Sequence, residues 1–200
     1  MIEVFKMEEN KKIIKATELI LEGLHDEFGL DLSDENFRET PQRVARAYYE
    51  ICGGINDVNE KKKILSKSFP SKYDGMVVID NIVAFSMCPH HLLPVELRIC
   101  LGVISKNKML GISKFPRLVE LLAKKPMLQE DFTEEVAQTL MDELNADGVM
   151  VKVFGRHMCM RMRGVKSVNS DTITSSIKGS FKQPETREEF NSLSRGINWN

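Results

Sequence analysis

Two short clusters of metal-binding side chains, far apart in the sequence, place the strongest constraint on how this chain can fold. The first is Cys88-Pro89-His90-His91 and the second is His157-Met158-Cys159. Together they hold three of the four histidines and two of the four cysteines. Thiolate and imidazole groups bind zinc well, and a zinc ion with three protein ligands keeps one position open, as catalytic sites do. If the clusters form one site, the fold must bring them side by side.

The composition is that of an ordinary globular protein. The chain has 200 residues, 42% hydrophobic and 28% charged, which fits one domain or one domain with an appendage. A net charge of -1 argues against nucleic acid as a partner. No apolar run approaches the roughly 20 residues of a membrane helix. Residues 1–10 lack the apolar stretch of a secretory signal, so we expect a cytoplasmic protein without disulfide bonds.

The order of the predicted elements indicates an α+β fold preceded by a helical region. Apolar spacing predicts helices over residues 11–28 and from Thr40, its N-cap, to about residue 53. The lysine-rich stretch 55–75 is predicted to be a solvated connection. The remaining predictions are strands at 76–85, 93–104, 149–155, 158–165 and 172–181, and helices at 114–124, 132–146 (with Asp131 and Glu134 as a capping box) and 186–193. We therefore expect an N-terminal helical region and linker over 1–75 and an antiparallel-sheet domain with a short C-terminal helix over 76–200.

The second cluster is interpreted as part of a strand, in which side chains alternate between the two faces. One face then carries His157, Cys159, Arg161 and Arg163, and the other carries Met158, Met160 and Met162. The methionine face is the natural core face. An imidazole, a thiol and two guanidinium groups would then share the opposite face. The alternative is an exposed polar face that contains a cysteine by chance.

The first cluster needs a bend, because an extended chain would point Cys88 and His91 to opposite faces. Pro89 favours such a bend, since proline interrupts strand pairing. Cys88 and His91 would then form a local chelate, and Cys159 would supply the third ligand. His90 and His157 remain for proton transfer, a role that suits the near-neutral pKa of histidine. The alternative is that these cysteines and histidines bind no metal.

A third candidate site is Gly111-Ile112-Ser113-Lys114-Phe115-Pro116-Arg117. Ser113 could cap the helix that follows, with Lys114 and Arg117 in its first turns. Cations there oppose the helix dipole, and an anion bound at the helix start would explain them. The alternative is a solvated helix face. Gln129-Glu130, just before the next predicted helix, indicates little by itself.

These residues together resemble the GTP cyclohydrolase I family. The resemblance runs from about residue 35 to residue 195 and depends on the order and spacing of several motifs. They are Thr40-Pro41-x-Arg43-Val44-Ala45, Cys88-x-His90-His91-Leu92-x-Pro94, Gly111-x-Ser113-Lys114, Gln129-Glu130, His157-Met158-Cys159-Met160-x-Met162-Arg163-Gly164 and Thr186-Arg187-Glu188-Glu189-Phe190. So many motifs in register make chance a poor explanation.

The resemblance implies a tunnelling fold (T-fold), an antiparallel sheet with two helices on one side. It also implies a homo-oligomer, usually a decamer of two pentamers, with active sites at subunit interfaces. The implied reaction opens the imidazole ring of GTP, releases C8 as formate and yields 7,8-dihydroneopterin triphosphate. Which pathway receives that product (folate, a biopterin-type cofactor or 7-deazaguanine nucleosides) stays open.

The resemblance also implies roles for individual residues. Zinc would be held by Cys88, His91 and Cys159, and protons moved by His90 and His157. Guanine would be bound by Glu130 with the help of Gln129, and the triphosphate by Ser113, Lys114, Arg117, Arg163, Arg43 and Arg46. The chain departs from the family pattern at Pro89, commonly Glu, and at Leu97 and Cys100, commonly Gly and His. The alternative functions are a nitrile reductase-like T-fold enzyme and a nucleotide-binding assembly protein without catalysis.

Overall fold

The computed structural model describes residues 11–194, so the predictions for residues 1–10 lie outside the described part. The helices are α1 (Lys11–Phe28), α2 (Thr40–Cys52), α3 (Val58–Leu65), α4 (Lys114–Ala123), α5 (Gln129–Leu144), α6 (Met158–Arg161) and α7 (Pro184–Leu193). The strands are β1 (Ser68–Pro70), β2 (Met76–Met87), β3 (Pro94–Ile104), β4 (Lys108–Leu110), β5 (Gly148–His157) and β6 (Thr172–Gly179). Short 3-10 helices occur at Glu35–Phe37 and Ser180–Lys182. Within residues 11–194, no helix is both long and apolar enough to span a membrane.

The contacts divide the chain into two compact units, the first ending at Cys52 and the second beginning at Gly53. In the first unit α1 packs against α2, and both helices were predicted from the sequence. The predicted N-cap role of Thr40 is wrong. α2 begins at Thr40 itself, and its hydroxyl donates to the Asn36 carbonyl at 3.4 Å instead of accepting from the first turn.

The second unit is built on a four-stranded antiparallel sheet in the order β2-β3-β5-β6. Alternate residues of β3 enter the main core: Val95, Leu97, Ile99, Leu101 and Val103. They pack with the apolar sides of α4 and α5, which supply Phe115, Leu118, Phe132, Val136 and Leu140. The α+β fold class is confirmed, with the two helices on one side of the sheet that the T-fold resemblance implied.

The opposite face of the sheet has a smaller core near one end. Met150 and Cys100 pack there against Phe181 and Phe190, whose rings meet edge to face with centroids 5.9 Å apart. Burial, with a contribution from Asp80, raises the pKa of the Cys100 thiol to about 12. Cys100, one of the departures from the family pattern, is therefore an inert core residue in this chain.

The lysine-rich stretch is not a solvated connection. Residues 58–65 form α3, in which Asp57 accepts a hydrogen bond from the Glu60 N–H at 2.9 Å as an N-cap. Ile64 and Leu65 enter the main core, while the lysines point away from it or toward Thr139. The strand β1 that follows pairs with β4, so residues 53–75 belong to the second unit.

The start of α5 also differs from the sequence-based prediction. The helix begins at Gln129, and its N-cap Leu128 makes no side-chain cap bond, so the Asp131–Glu134 capping box is wrong. Glu134 instead accepts hydrogen bonds from Ser176 and Lys178 on β6. The prediction failed because the two donors that bond to Glu134 lie on β6, more than 40 residues away, and a local sequence pattern contains no information about them.

Two glycines provide a matched test of this packing. A Cβ at Gly102, on β3, would lie 2.7 Å from the ring of Phe190, whereas one at Gly23, on α1, would meet nothing within 4 Å. We expect Gly102→Ala to lower the free energy of unfolding by about 1–3 kcal/mol through overpacking. Gly23→Ala should leave it unchanged or raise it by up to about 1 kcal/mol, since alanine favours helix. Urea unfolding measures both, and a Gly102→Ala variant as stable as the parent would contradict the packing described.

Candidate metal centre and active site

The first cluster lies in the tight connection between β2 and β3. The Cys88 N–H donates to the Leu93 carbonyl and the Leu92 N–H donates to the Cys88 carbonyl, each at 2.9 Å. Leu92 has a φ of 52°, in the left-handed region that such a closure requires. The bend predicted from Pro89 is present. It holds the Cys88 thiol at 5% exposure, while His90 and His91 are exposed.

The second cluster is not a strand beyond His157, so the prediction of a strand over 158–165 is wrong. β5 ends at His157 and the chain enters the short helix α6, which carries Cys159. Strand alternation therefore does not place Cys159, Arg161 and Arg163 on one face. Met162 is 63% exposed and is not a core residue.

The end of β5 has a physical cause in its neighbours. His157 pairs with Val95, one residue after Pro94, where β3 begins. Proline has no N–H to extend the ladder. On the other side, the β6 pairing ends at Gly155 opposite Thr172. The backbone after His157 therefore has no strand to bond with, and it turns into a helix.

The β3–β5 pairing brings the two clusters together. The ligand atoms of Cys88, His91 and Cys159 all lie within 4.8 Å of one another. The Cys88 Sγ is 3.6 Å from His91 Nδ1 and 3.9 Å from His90 Nδ1. The predicted ligand set is therefore the set that the fold brings together.

The donor set suits a zinc ion. A tetrahedral zinc ion, with bonds of about 2.0–2.3 Å, separates a sulfur from a nitrogen ligand by roughly 3.6 Å. The separation of Cys88 Sγ and His91 Nδ1 matches this value. Burial raises the pKa of the Cys159 thiol, and a hydrogen bond with Cys88 raises it further. A divalent cation between the thiols would oppose both effects by stabilising the thiolates.

His157 lies beside this cluster and is bonded to α5. Its Nε2 is 2.8 Å from Gln129 Oε1. Burial lowers the pKa of His157, and the nearby Glu130 carboxylate acts in the opposite direction. A small, mainly apolar recess adjoins both side chains and is lined by Ser86, Val95, Leu97, Met127, Gln129, Phe132 and His157. Leu97, another departure from the family pattern, thus forms part of the wall beside His157.

Two further predicted residues are Arg163, which contacts the cluster of Cys88, His91 and Cys159, and Glu130. Arg163 reaches the cluster with Nη1 3.3 Å from His91 Nε2. Glu130 is exposed in the first turn of α5.

The predicted anion site begins α4. Ser113 occupies its N-cap position but makes no side-chain cap bond, and Lys114 and Arg117 follow in the first turn. The last two candidates, Arg43 and Arg46, are exposed on α2 in the first unit, where Arg43 pairs with Glu39 at 2.9 Å.

The structure adds three residues that the sequence reasoning missed. Thr174 accepts a hydrogen bond from the Gln129 side chain, and Thr133 bonds to Thr174 and to the Gln129 backbone carbonyl. Gly155 leaves the space that the Gln129 side chain occupies. Gly155 gave a signal, because a glycine inside a strand pattern often marks a close approach. The threonines gave none, since the contact between them joins α5 to β6.

Comparisons with known proteins identify the family of this chain. The family model described as GTP cyclohydrolase I matches residues 14–195. The GTP cyclohydrolase 1 of Clostridium perfringens (strain 13 / Type A) is 41% identical over 180 residues, covering 90% of this chain and 94% of the relative. That of Pelotomaculum thermopropionicum is 42% identical over 192 residues, covering 95% and 99%.

Among solved structures, the apo form of an archaeosine synthase QueF-like protein aligns with a TM-score of 0.44 at 14% identity, over 55% of this chain and 98% of its own. A Vibrio cholerae protein described as a putative dihydroneopterin aldolase (FolB) aligns with a TM-score of 0.40 at 11% identity, over 53% and 99%. The family match spans nearly the whole described chain and includes both clusters. The chain belongs to the GTP cyclohydrolase I family.

Proposed function

We propose that this chain is a zinc-dependent enzyme that converts GTP and water to 7,8-dihydroneopterin triphosphate and formate. The observation that carries the proposal is the grouping of Cys88, His91 and Cys159 in a chain of this family. These three donors come from two distant segments and have the spacing of zinc ligands, and their types are those that bind zinc well.

The reaction needs water added at C8 of the guanine, cleavage of the C–N bonds of the imidazole ring, and several proton transfers as the ribose rearranges. When bound, zinc supplies the Lewis acidity that brings the pKa of water toward neutrality. His90 and His157 flank the cluster and are proposed to accept and return protons at the purine and ribose atoms.

Charged side chains are proposed to bind the guanine and the triphosphate at the two ends of GTP. Glu130 is proposed to accept hydrogen bonds from the guanine N–H groups. Arg163, beside His91, is proposed to bind the triphosphate together with Ser113, Lys114 and Arg117. The triphosphate role of Arg43 and Arg46 stays a prediction from the family resemblance.

The sheet supports the proposed homo-oligomer. In the described chain β2 and β6 form its two outer edges, and an uncovered strand edge is a template for pairing with another chain. Phe85 on β2 and Ile173 on β6 are both exposed. Continuation of the sheet from copy to copy would cover these edges and gives a ring, proposed to be a decamer with active sites at the subunit interfaces.

Replacement of a ligand tests the metal assignment. We expect Cys159→Ser to lose bound zinc and at least about 100-fold in formate release from GTP, because a serine hydroxyl is a far weaker zinc ligand than a thiolate. Elemental analysis measures the zinc, and a formate assay measures the turnover. Cys52→Ser, a change of the same chemistry in the first unit, should keep both. A fully active, zinc-containing Cys159→Ser variant would contradict the ligand set.

Replacement of the carboxylate tests guanine recognition. We expect Glu130→Gln to lower kcat/KM for GTP by about 10–100-fold, because it removes the negative charge and puts an NH2 donor in place of one of the two accepting oxygens. The adjacent Asp131→Asn removes the same charge from the same helix turn and serves as the control. Steady-state kinetics with GTP distinguish the two. Equal losses would show that helix-terminal charge, and not a specific contact, matters at this position.

A further inference from the structure

The side chain of Gln129 is buried at 4% exposure, and its nitrogen is surrounded by acceptors. Nε2 lies 3.1 Å from the Val153 carbonyl, 3.0 Å from the Thr172 carbonyl and 3.1 Å from Thr174 Oγ1. A backbone carbonyl can only accept a hydrogen bond. The amide nitrogen, and not its oxygen, must therefore face β5 and β6, and the orientation of the amide is fixed.

The directions of the hydroxyl hydrogen bonds follow in turn. Thr133 Oγ1 donates its single hydrogen to the backbone carbonyl oxygen of Gln129 at 2.7 Å. The 2.6 Å contact between Thr133 and Thr174 then needs Thr174 as the donor. Thr174 Oγ1 is left as an acceptor for Gln129 Nε2, in agreement with the fixed amide. The network is closed: the directions of both hydroxyl hydrogen bonds follow, and the two hydrogens on Gln129 Nε2 are shared among three acceptors.

The remaining atom of the amide, Oε1, faces His157 Nε2 at 2.8 Å. An amide oxygen accepts and does not donate. The hydrogen of this bond must therefore belong to the imidazole, which places it on Nε2. In a neutral ring the second nitrogen, Nδ1, is then the one with a free lone pair.

We propose that Gln129 is a positioning residue that fixes the ring of His157 and its Nε2–H tautomer, so that Nδ1 is the nitrogen presented to the substrate. The catalytic meaning of this arrangement rests on the proposed function, in which His157 moves protons. Both N–H hydrogens of Gln129 are shared among three protein acceptors, so its side chain is not arranged to bind guanine. This replaces the guanine-binding role that the family resemblance implied for Gln129.

Gly155 is part of the same arrangement. A Cβ at this position would overlap Gln129 Oε1 and lie 3.0 Å from His157 Nε2. Only glycine leaves the room in which the two atoms meet. The hydrogen bond between Gln129 and His157 thus depends on the absence of one side chain from β5.

The tautomer is measured directly in the zinc-loaded, full-length enzyme without substrate. Magic-angle-spinning NMR of protein labelled with ¹⁵N-histidine distinguishes a nitrogen that carries hydrogen from one that does not, and the His157 signals are those lost in His157→Asn. At a pH where the ring is neutral, we expect hydrogen on Nε2 and none on Nδ1. Hydrogen on Nδ1, or a mixture of tautomers, would overturn the proposal without any further variant.

The variant Gln129→Leu then tests the role. We expect a mixed tautomer for His157 and a fall in kcat of about 100-fold, the usual size of a general acid–base contribution. Zinc content and KM for GTP should stay unchanged. Gln138→Leu, the same change at an exposed position of α5, should alter none of these. A raised KM with an unchanged tautomer would show that Gln129 binds substrate and would overturn the positioning role.

The outcomes separate this inference from the proposed function. Active enzyme with hydrogen on Nδ1 would refute the inference alone. The expected tautomer in a zinc-loaded protein that releases no formate from GTP would refute the proposed function and leave the hydrogen-bond assignment standing.

Discussion

The pairing of β3 with β5 is the interaction on which the site depends. Its register sets Val95 opposite His157, at the end of the ladder where Pro94 has no N–H to offer. Cys88 directly follows Met87, which pairs with Pro94 at the end of β2, and Cys159 lies two residues after His157 at the end of β5. A shift of one residue would turn every side chain of β5 to the other face and move His157 away from α5. The candidate metal site is therefore fixed by the same ladder that builds the core.

The site joins two environments with different chemistry. The metal cluster has one buried thiol and exposed histidines, so small ligands reach it from solvent. The bond between His157 and Gln129 lies deeper, among carbonyls and hydroxyls whose donors and acceptors are matched. A buried polar network of this kind holds one geometry, because any rotation leaves a polar atom unpaired at a cost of about 1–3 kcal/mol. The accessible candidate ligands thus lie beside a histidine that is held in one geometry.

The sequence predicted most elements, because their apolar residues recur with the period of a helix or a strand. α1 and the long strands of the sheet are examples. The failures share a cause, which is competition from distant partners. Residues 158–165 have strand-like composition but no strand to pair with, and the lysines of α3 conceal the buried Ile64 and Leu65. The candidate capping residue Glu134 bonds to β6 instead.

The sequence by itself determined which atoms are available: thiols and imidazoles in two clusters, with a proline that bends the first. Thiolate and imidazole groups are common zinc ligands, so the candidate metal-binding residues could be inferred without a structure. Only the tertiary structure decided which hydrogen bonds Gln129 makes, because its partners Val153, Thr172 and Thr174 are 24 to 45 residues away. The direction of a hydrogen bond depends on what lies opposite each atom, and that is a property of strand register rather than of local sequence.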